Sequence, residues 1–289
     1  MHYLAFAVLT TLITAQQPAT PPAHDASDLE MLARRVDTAH RPNGPVRPIT
    51  AFQCNLELHV LAASAKERGQ VDLSVKFLQW QRPGRDDVRP LIRYEVREAG
   101  TPIMRGVDGL GPWQLVQGEA RDLRGSERGE DLAACERHMN LARQLLRCLD
   151  PGAVLRSLTS PSPVREEELP LDRTRIPCET VEGNLPAFPL LQQGGEDASA
   201  HLKVYVDKTD GRLLAIDAWP LEGGKQVDAR GERVQLRDLH VRNDLLVPRK
   251  LEHFFRRPDG SLELQTRVML INLSLRPELT VEDFARPKN

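Results

Sequence analysis

Hydrophobic and polar residues alternate with a period of two through the last third of the chain. Leu202, Val204 and Val206 alternate with Lys203, Tyr205 and Asp207, and after Thr209-Asp210-Gly211 the pattern resumes at Leu214, Ile216 and Ala218. Period two places successive side chains on opposite faces of a strand, and Asp-Gly supplies the positive φ of a short loop, so this stretch predicts a hairpin. Val234 to Val241, Val247 to Phe255 and Leu262 to Leu273 predict further strands, turned at Asn243-Asp244 and Pro258-Asp259-Gly260. The result is a meander of about five antiparallel strands.

The same alternation runs earlier in the chain. Cys54, Leu56, Leu58 and Val60 alternate with Asn55, Glu57 and His59, and Val71 to Trp80 repeats the pattern after a turn at Lys66-Glu67-Arg68-Gly69. A charged loop, Arg82 to Asp87, leads to strands at Ile92 to Val96 and Ile103 to Val107; Trp113 to Val116 follows Asp108-Gly109-Leu110-Gly111-Pro112. Five strands from each half predict one large, mainly antiparallel sheet.

Helical spacing appears in two places. Leu29, Leu32, Ala33 and Val36 predict an amphipathic helix over Asp28 to His40, capped by Ser27 or Asp28. Gly129 to Leu149 carries Leu132, Ala133, Cys135, Met139, Ala142, Leu145, Leu146 and Leu149 on a wide apolar face, the strongest helix signal in the chain. Pro151-Gly152 interrupts it and Ala153 to Leu158 adds a turn. Thr159 to Pro177, with Glu166-Glu167-Glu168, predicts a surface loop. Gly183 to Ser199 is expected to be irregular, with Gln192-Gln193-Gly194-Gly195 at its centre.

Tyr3 to Ile13 is an apolar run too short to cross a bilayer as a helix but long enough for a secretory signal, with Ala15 as cleavage point. The expected division is a signal peptide over 1–15, a flexible leader rich in Pro and Ala over 16–26, and one domain over 27–289. No later apolar run approaches membrane-spanning length. Net charge is −2 with basic and acidic residues interspersed. That argues against a nucleic-acid groove, which needs a one-signed patch.

The even set Cys54, Cys135, Cys148 and Cys178 fits an oxidising compartment and offers disulfide candidates. Cys135 and Cys148 on one helix would lie roughly 20 Å apart, beyond the ~7 Å reach of a disulfide. Two schemes stay open, Cys54–Cys135 with Cys148–Cys178, or Cys54–Cys148 with Cys135–Cys178, the first preferred because the chain between Cys148 and Cys178 can fold back. Their spacing does not suit zinc.

Candidate chemistry is sparse. His253 shares a strand face with Val247, Leu251 and Phe255, and Arg249 joins it if no bulge intervenes. Such a cationic pair among apolar residues suits an anionic headgroup at a cavity mouth; the alternative is a strand end already in water. Asp131, Cys135 and His138 share one helix face but lack a fourth metal ligand, so a solvated helix edge with a structural cysteine is the simpler reading. Glu252 and His253, adjacent on a strand, face opposite ways. No Gly-x-Ser-x-Gly elbow and no phosphate loop occur.

The order of helix, strands, Gly-rich turn, central helix and meander resembles the periplasmic lipoprotein-carrier superfamily, the LolA/LolB-like fold. Gly106-Val107-Asp108-Gly109 to Trp113-Gln114-Leu115, Val204 to Leu213, and Leu246 to Leu251 with Asn272 to Phe284 carry the resemblance. It implies an α+β fold, a large curved mainly antiparallel sheet forming an open half-barrel, with helices packed on its concave face and an apolar cavity between. It also implies an exported, non-catalytic protein of the periplasm or cell envelope that binds a hydrophobic ligand or lipidated protein, without a cofactor. The ligand-binding residues expected on this basis are Trp113, Leu146, Arg249, Leu251, His253 and Phe255. The alternative is an envelope interaction or sensor domain with a filled core, whose partner is another envelope protein. A hydrolase is a distant third.

Overall fold

The computed structural model describes residues 24–42, 44, 49–61, 69–81, 88–98, 100–108, 111–124, 129–186, 188–190, 199–275 and 277–287. The expected signal peptide, the Lys66-Glu67-Arg68 part of the predicted turn, the Arg82 to Asp87 loop and the Gln192 to Gly195 segment lie outside them.

The chain builds one 14-stranded sheet from two meanders that meet at its centre. The first runs outward: β1 (Ala51–Val60), β2 (Gly69–Gln81), β3 (Val88–Glu98), β4 (Thr101–Asp108), β5 (Gly111–Val116) and β6 (Glu119–Asp122). Two helices, α2 (Gly129–Leu149) and α3 (Pro151–Arg156), then carry the chain to the opposite edge. There it re-enters through β7 (Arg165–Leu171), β8 (Thr174–Leu185), β9 (Ala200–Asp207), β10 (Leu213–Glu222), β12 (Glu232–Arg242), β13 (Leu245–Arg256) and β14 (Leu262–Leu275); a short β11 (Lys225–Gln226) pairs only with β10. β14 closes the order by pairing with β1, Cys54 opposite Leu273 and Leu58 opposite Val268. Every pairing is antiparallel, and β6 and β7 are left as the two free edges. The expected open, curved antiparallel sheet with helices on one face is what the chain forms.

Alternation decides which face the helices cover. Leu56, Leu73, Val75, Ile92, Tyr94, Leu202, Val204, Ile216, Val234, Leu236, Leu251 and Val268 all point to one side, where they join Leu32, Val36, Met139, Leu145, Leu149 and Leu155 in a continuous buried core. Burying a side chain of this size contributes about 1.5–3 kcal/mol, so this inner face supplies most of the drive to fold. α2 spans it from β3 to β13. The first helix, α1 (His24–His40), begins four residues before the expected Asp28 and packs on α3 and β13.

α1 also repairs a lapse in the sheet. β10 pairs with β12 only through Ala215–Ala218 opposite Glu232–Gln235, which leaves the tip of the β12–β13 hairpin without a strand partner on that side among the described residues. The Leu213 N–H donates instead to His40 Nε2, at 2.9 Å. Burial holds the His40 imidazole at a pKa of about 4, so at neutral pH it is the neutral acceptor that this bond requires.

Three expectations are corrected. Gly183 to Leu185, expected to be irregular, completes β8 and pairs with β9. Thr159 to Pro177 is not a loop but largely strand: it supplies β7 and the start of β8. β7 is an edge strand, where exposed Glu166 and Glu168 and a proline at Pro170 discourage pairing with another chain, and those same residues mask the strand signal. The cysteines are four separate buried thiols. Both disulfide schemes need Cys178 to meet a cysteine of α2, yet Cys178 lies with Leu169, Tyr205, Leu214 and Ala215 on the outer face, while Cys54, Cys135 and Cys148 lie in the inner core.

Candidate functional site: polar groups on the helix-covered face

Of the expected ligand-binding residues, the structure brings Leu146, Leu251 and His253 into the inner face. Their exposures are 8%, 2% and 1%, so the interior along this line is closed to solvent. Phe255, in the same strand row, is half-buried. Arg249 is exposed, opposite Asp238, whose φ of 53° interrupts the ladder; it does not form a cationic pair with His253 inside the fold. Trp113 is on the other side of the sheet. It pairs with Gly106 and lies over it, close enough that a Cβ there would meet the indole at 2.8 Å. Gln114 takes the inward position instead, opposite Arg105.

Arg105 anchors the start of α2. Its Nε donates to Gln114 Oε1 at 2.5 Å and its Nη2 to Asp131 Oδ1 at 3.2 Å, while Gln114 Nε2 donates to Asp131 Oδ2 at 3.3 Å. An acidic residue in the first turn also complements the helix dipole. Asp131 is therefore engaged in holding the helix to β4 and β5. Two turns on, His138 meets Tyr94 edge to face at 4.8 Å, and burial, reinforced by Arg105 and Arg137, pushes its pKa down to about 3. Asp131, Cys135 and His138 thus serve packing, and no metal-ligand group of three forms among the described residues.

Further along α2, Asn140 and Gln144 sit at i and i+4 on the buried side, 2% and 1% exposed. Asn140 Nδ2 donates to the Leu190 carbonyl at 2.9 Å; Gln144 Nε2 donates to the Pro189 carbonyl at 2.6 Å and to Glu232 Oε1 at 2.7 Å. With both neighbours acceptors, the amide orientation of Gln144 is fixed, and its Oε1 is buried with no partner among the described residues. Glu232 opens β12 opposite Phe255, and His253 lies opposite Val234, so Glu232 and His253 are diagonal neighbours on the inner face.

His253 is the unusual member. Neither ring nitrogen has a hydrogen-bond partner among the described residues, and burial alone pushes its pKa down to about 4. The site therefore offers an apolar wall, a neutral imidazole with one donor and one acceptor, and an amide oxygen, with one carboxylate nearby. Periodicity singled out His253 but missed Glu232, Asn140 and Gln144. The signal available for the last two was a pair of amides at helical spacing between Met139 and Leu145, inside an otherwise apolar face.

An open antiparallel half-barrel whose one apolar face is roofed by helices is the class of architecture that this geometry defines. In comparisons with solved structures, a LolA superfamily protein from Nitrosomonas europaea aligns over 90% of this chain and 98% of its own, at 11% identity and a TM-score of 0.45. MucB in complex with MucA(peri) aligns over 90% of this chain and 60% of its own, at 11% identity and a TM-score of 0.24. No protein-family model matches the chain, and no curated protein matches it.

Proposed function

We propose that this protein is an exported, non-catalytic binder of a hydrophobic ligand or a lipidated partner in the cell envelope. The observation that carries the reading is the inner face itself. It is a continuous apolar surface roofed by two separate helical pieces, one of which, α1, reaches the sheet where the β10–β12 ladder lapses. A roof of helices can lift from a sheet without breaking strand pairing, and each methylene transferred beneath it gains about 0.8 kcal/mol. The apolar N-terminal run, Tyr3 to Ile13, supports export. Among the described residues no helix is long and apolar enough to cross a membrane.

The second reading, an envelope interaction domain with a filled core, is favoured by the burial of Leu146 and Leu251. Titration with an environment-sensitive fluorescent acyl probe separates the two. Saturable binding at one site per chain, displaced by unlabelled fatty acyl compounds, supports the carrier reading; no saturable signal supports the packed domain.

A further inference from the structure

Buried polar groups in native proteins almost always have partners, and a histidine with neither nitrogen engaged calls for a specific explanation. His253 is 1% exposed, projects from β13 into the helix-covered face, and is flanked by Val234 across the strand pair and Leu251 along its own row. Gln144 Oε1, on the facing helix, is a second buried group without a partner among the described residues. Gln144 is bonded through its Nε2 to Glu232, the diagonal neighbour of His253 on the same face, so one carboxylate links the two groups.

We propose that the interior takes a ligand whose apolar chain carries a neutral amide or hydroxyl, held by His253 and by the Gln144 side-chain oxygen. This rests on the carrier reading and narrows it. The imidazole N–H donates to the ligand's oxygen and the ligand's N–H or O–H donates to Gln144 Oε1, so one group that both gives and accepts engages the imidazole N–H and the Gln144 oxygen together. An alkane satisfies neither, and a methyl ester, which only accepts, satisfies one. A carboxylate would lie beside Glu232, while Arg249 is exposed and Arg105 is bound to Asp131. An ammonium has no acceptor for the imidazole N–H. At neutral pH burial keeps His253 uncharged, in keeping with a neutral partner.

The test is competition against the acyl probe by a chain-matched series of fatty amide, alcohol, methyl ester, alkane, fatty acid and fatty amine, with the full chain and with His253→Leu. Amide and alcohol should bind about ten-fold tighter than the ester and tighter still than the alkane, and His253→Leu should abolish most of that preference. Amide against alcohol ranks the two sources of the same chemistry. Equal affinity across the series in both proteins, or tightest binding by the acid or amine, overturns the proposal and leaves the carrier reading intact. Failure of every compound, the probe included, overturns both. Should His253→Leu not fold, the His253 ring-nitrogen NMR signals of the unsubstituted protein replace it: a shift on adding the amide but not the alkane supports the proposal, and no shift with bound amide overturns it.

Discussion

The two faces of the C-terminal half of the sheet bury polar groups in opposite ways. On the outer face, Asp217 and Arg233 are 1% and 6% exposed, and the two are paired with each other. Arg233 Nη2 donates to Asp217 Oδ2 at 2.7 Å, its Nε also bonds Asp217, Tyr205 donates to the same carboxylate at 3.2 Å, and Arg256 adds a bond at 3.3 Å. Beside them Glu252 accepts from Arg237 at 3.1 Å and from Arg267 at 3.0 Å. On the inner face, a few ångströms through the same strands, His253 has no partner among the described residues. A sheet that pairs its charges so thoroughly on one side has no shortage of polar residues to serve the other. The contrast points to an inner face shaped for something besides its own stability.

The comparison breaks most sharply through the outer face. Arg233→Ala leaves Asp217 buried against fewer cations, and a loss of about 3–5 kcal/mol is expected in urea unfolding. Acid should act more gradually. His40 and His253 both have folded pKa values of about 4 against 6.5 when unfolded, so between those limits the unfolded chain binds protons that the native one refuses. Each therefore imposes no protonation penalty above pH ~6.5 and destabilises the fold as pH falls toward ~4, at about 1.4 kcal/mol per pH unit per histidine. Urea midpoints measured across that window should show the slope, and His253→Leu should remove the His253 share.

At neutral pH His253→Leu should raise the stability of the ligand-free protein by about 1 kcal/mol, since it deletes an unsatisfied buried group and retains volume. Destabilisation instead would mean that the imidazole is structurally satisfied. The smallest effect concerns the thiols. Burial raises the pKa of Cys135 and Cys178 to about 11 and that of Cys148 to about 12, so the native protein should react slowly with alkylating reagents. Unfolding without reductant should expose four reactive thiols by mass.

Much of the architecture was legible because the meander strands send apolar side chains to the inner face and mostly polar ones to the outer, which writes period two into β9, β10, β12 to β14 and β1 to β5. Gly129 to Leu149 matched the helix end to end because its apolar face is wide and Pro151 stops it. β6 escaped notice because Glu119-Ala-Arg-Asp122 carries no buried row, and β7 because edge strands are charged by design. The site was less legible. Trp113 reads as a wall residue, but its facing depends on the register with Gly106, which a Gly-Pro turn hides. Arg249 follows the alternation that should bury it, yet Asp238 distorts the ladder at its own step. Gln144 and Glu232 lie far apart in sequence and meet only because α2 crosses to β12.

Native mass spectrometry of the protein purified from the cells that make it decides whether the inner face holds a ligand. A bound species at near one-to-one stoichiometry is expected, released on denaturation as a lipid or lipopeptide carrying an amide or hydroxyl. A bare protein that also fails to bind an acyl probe would contradict that expectation and leave a packed recognition domain.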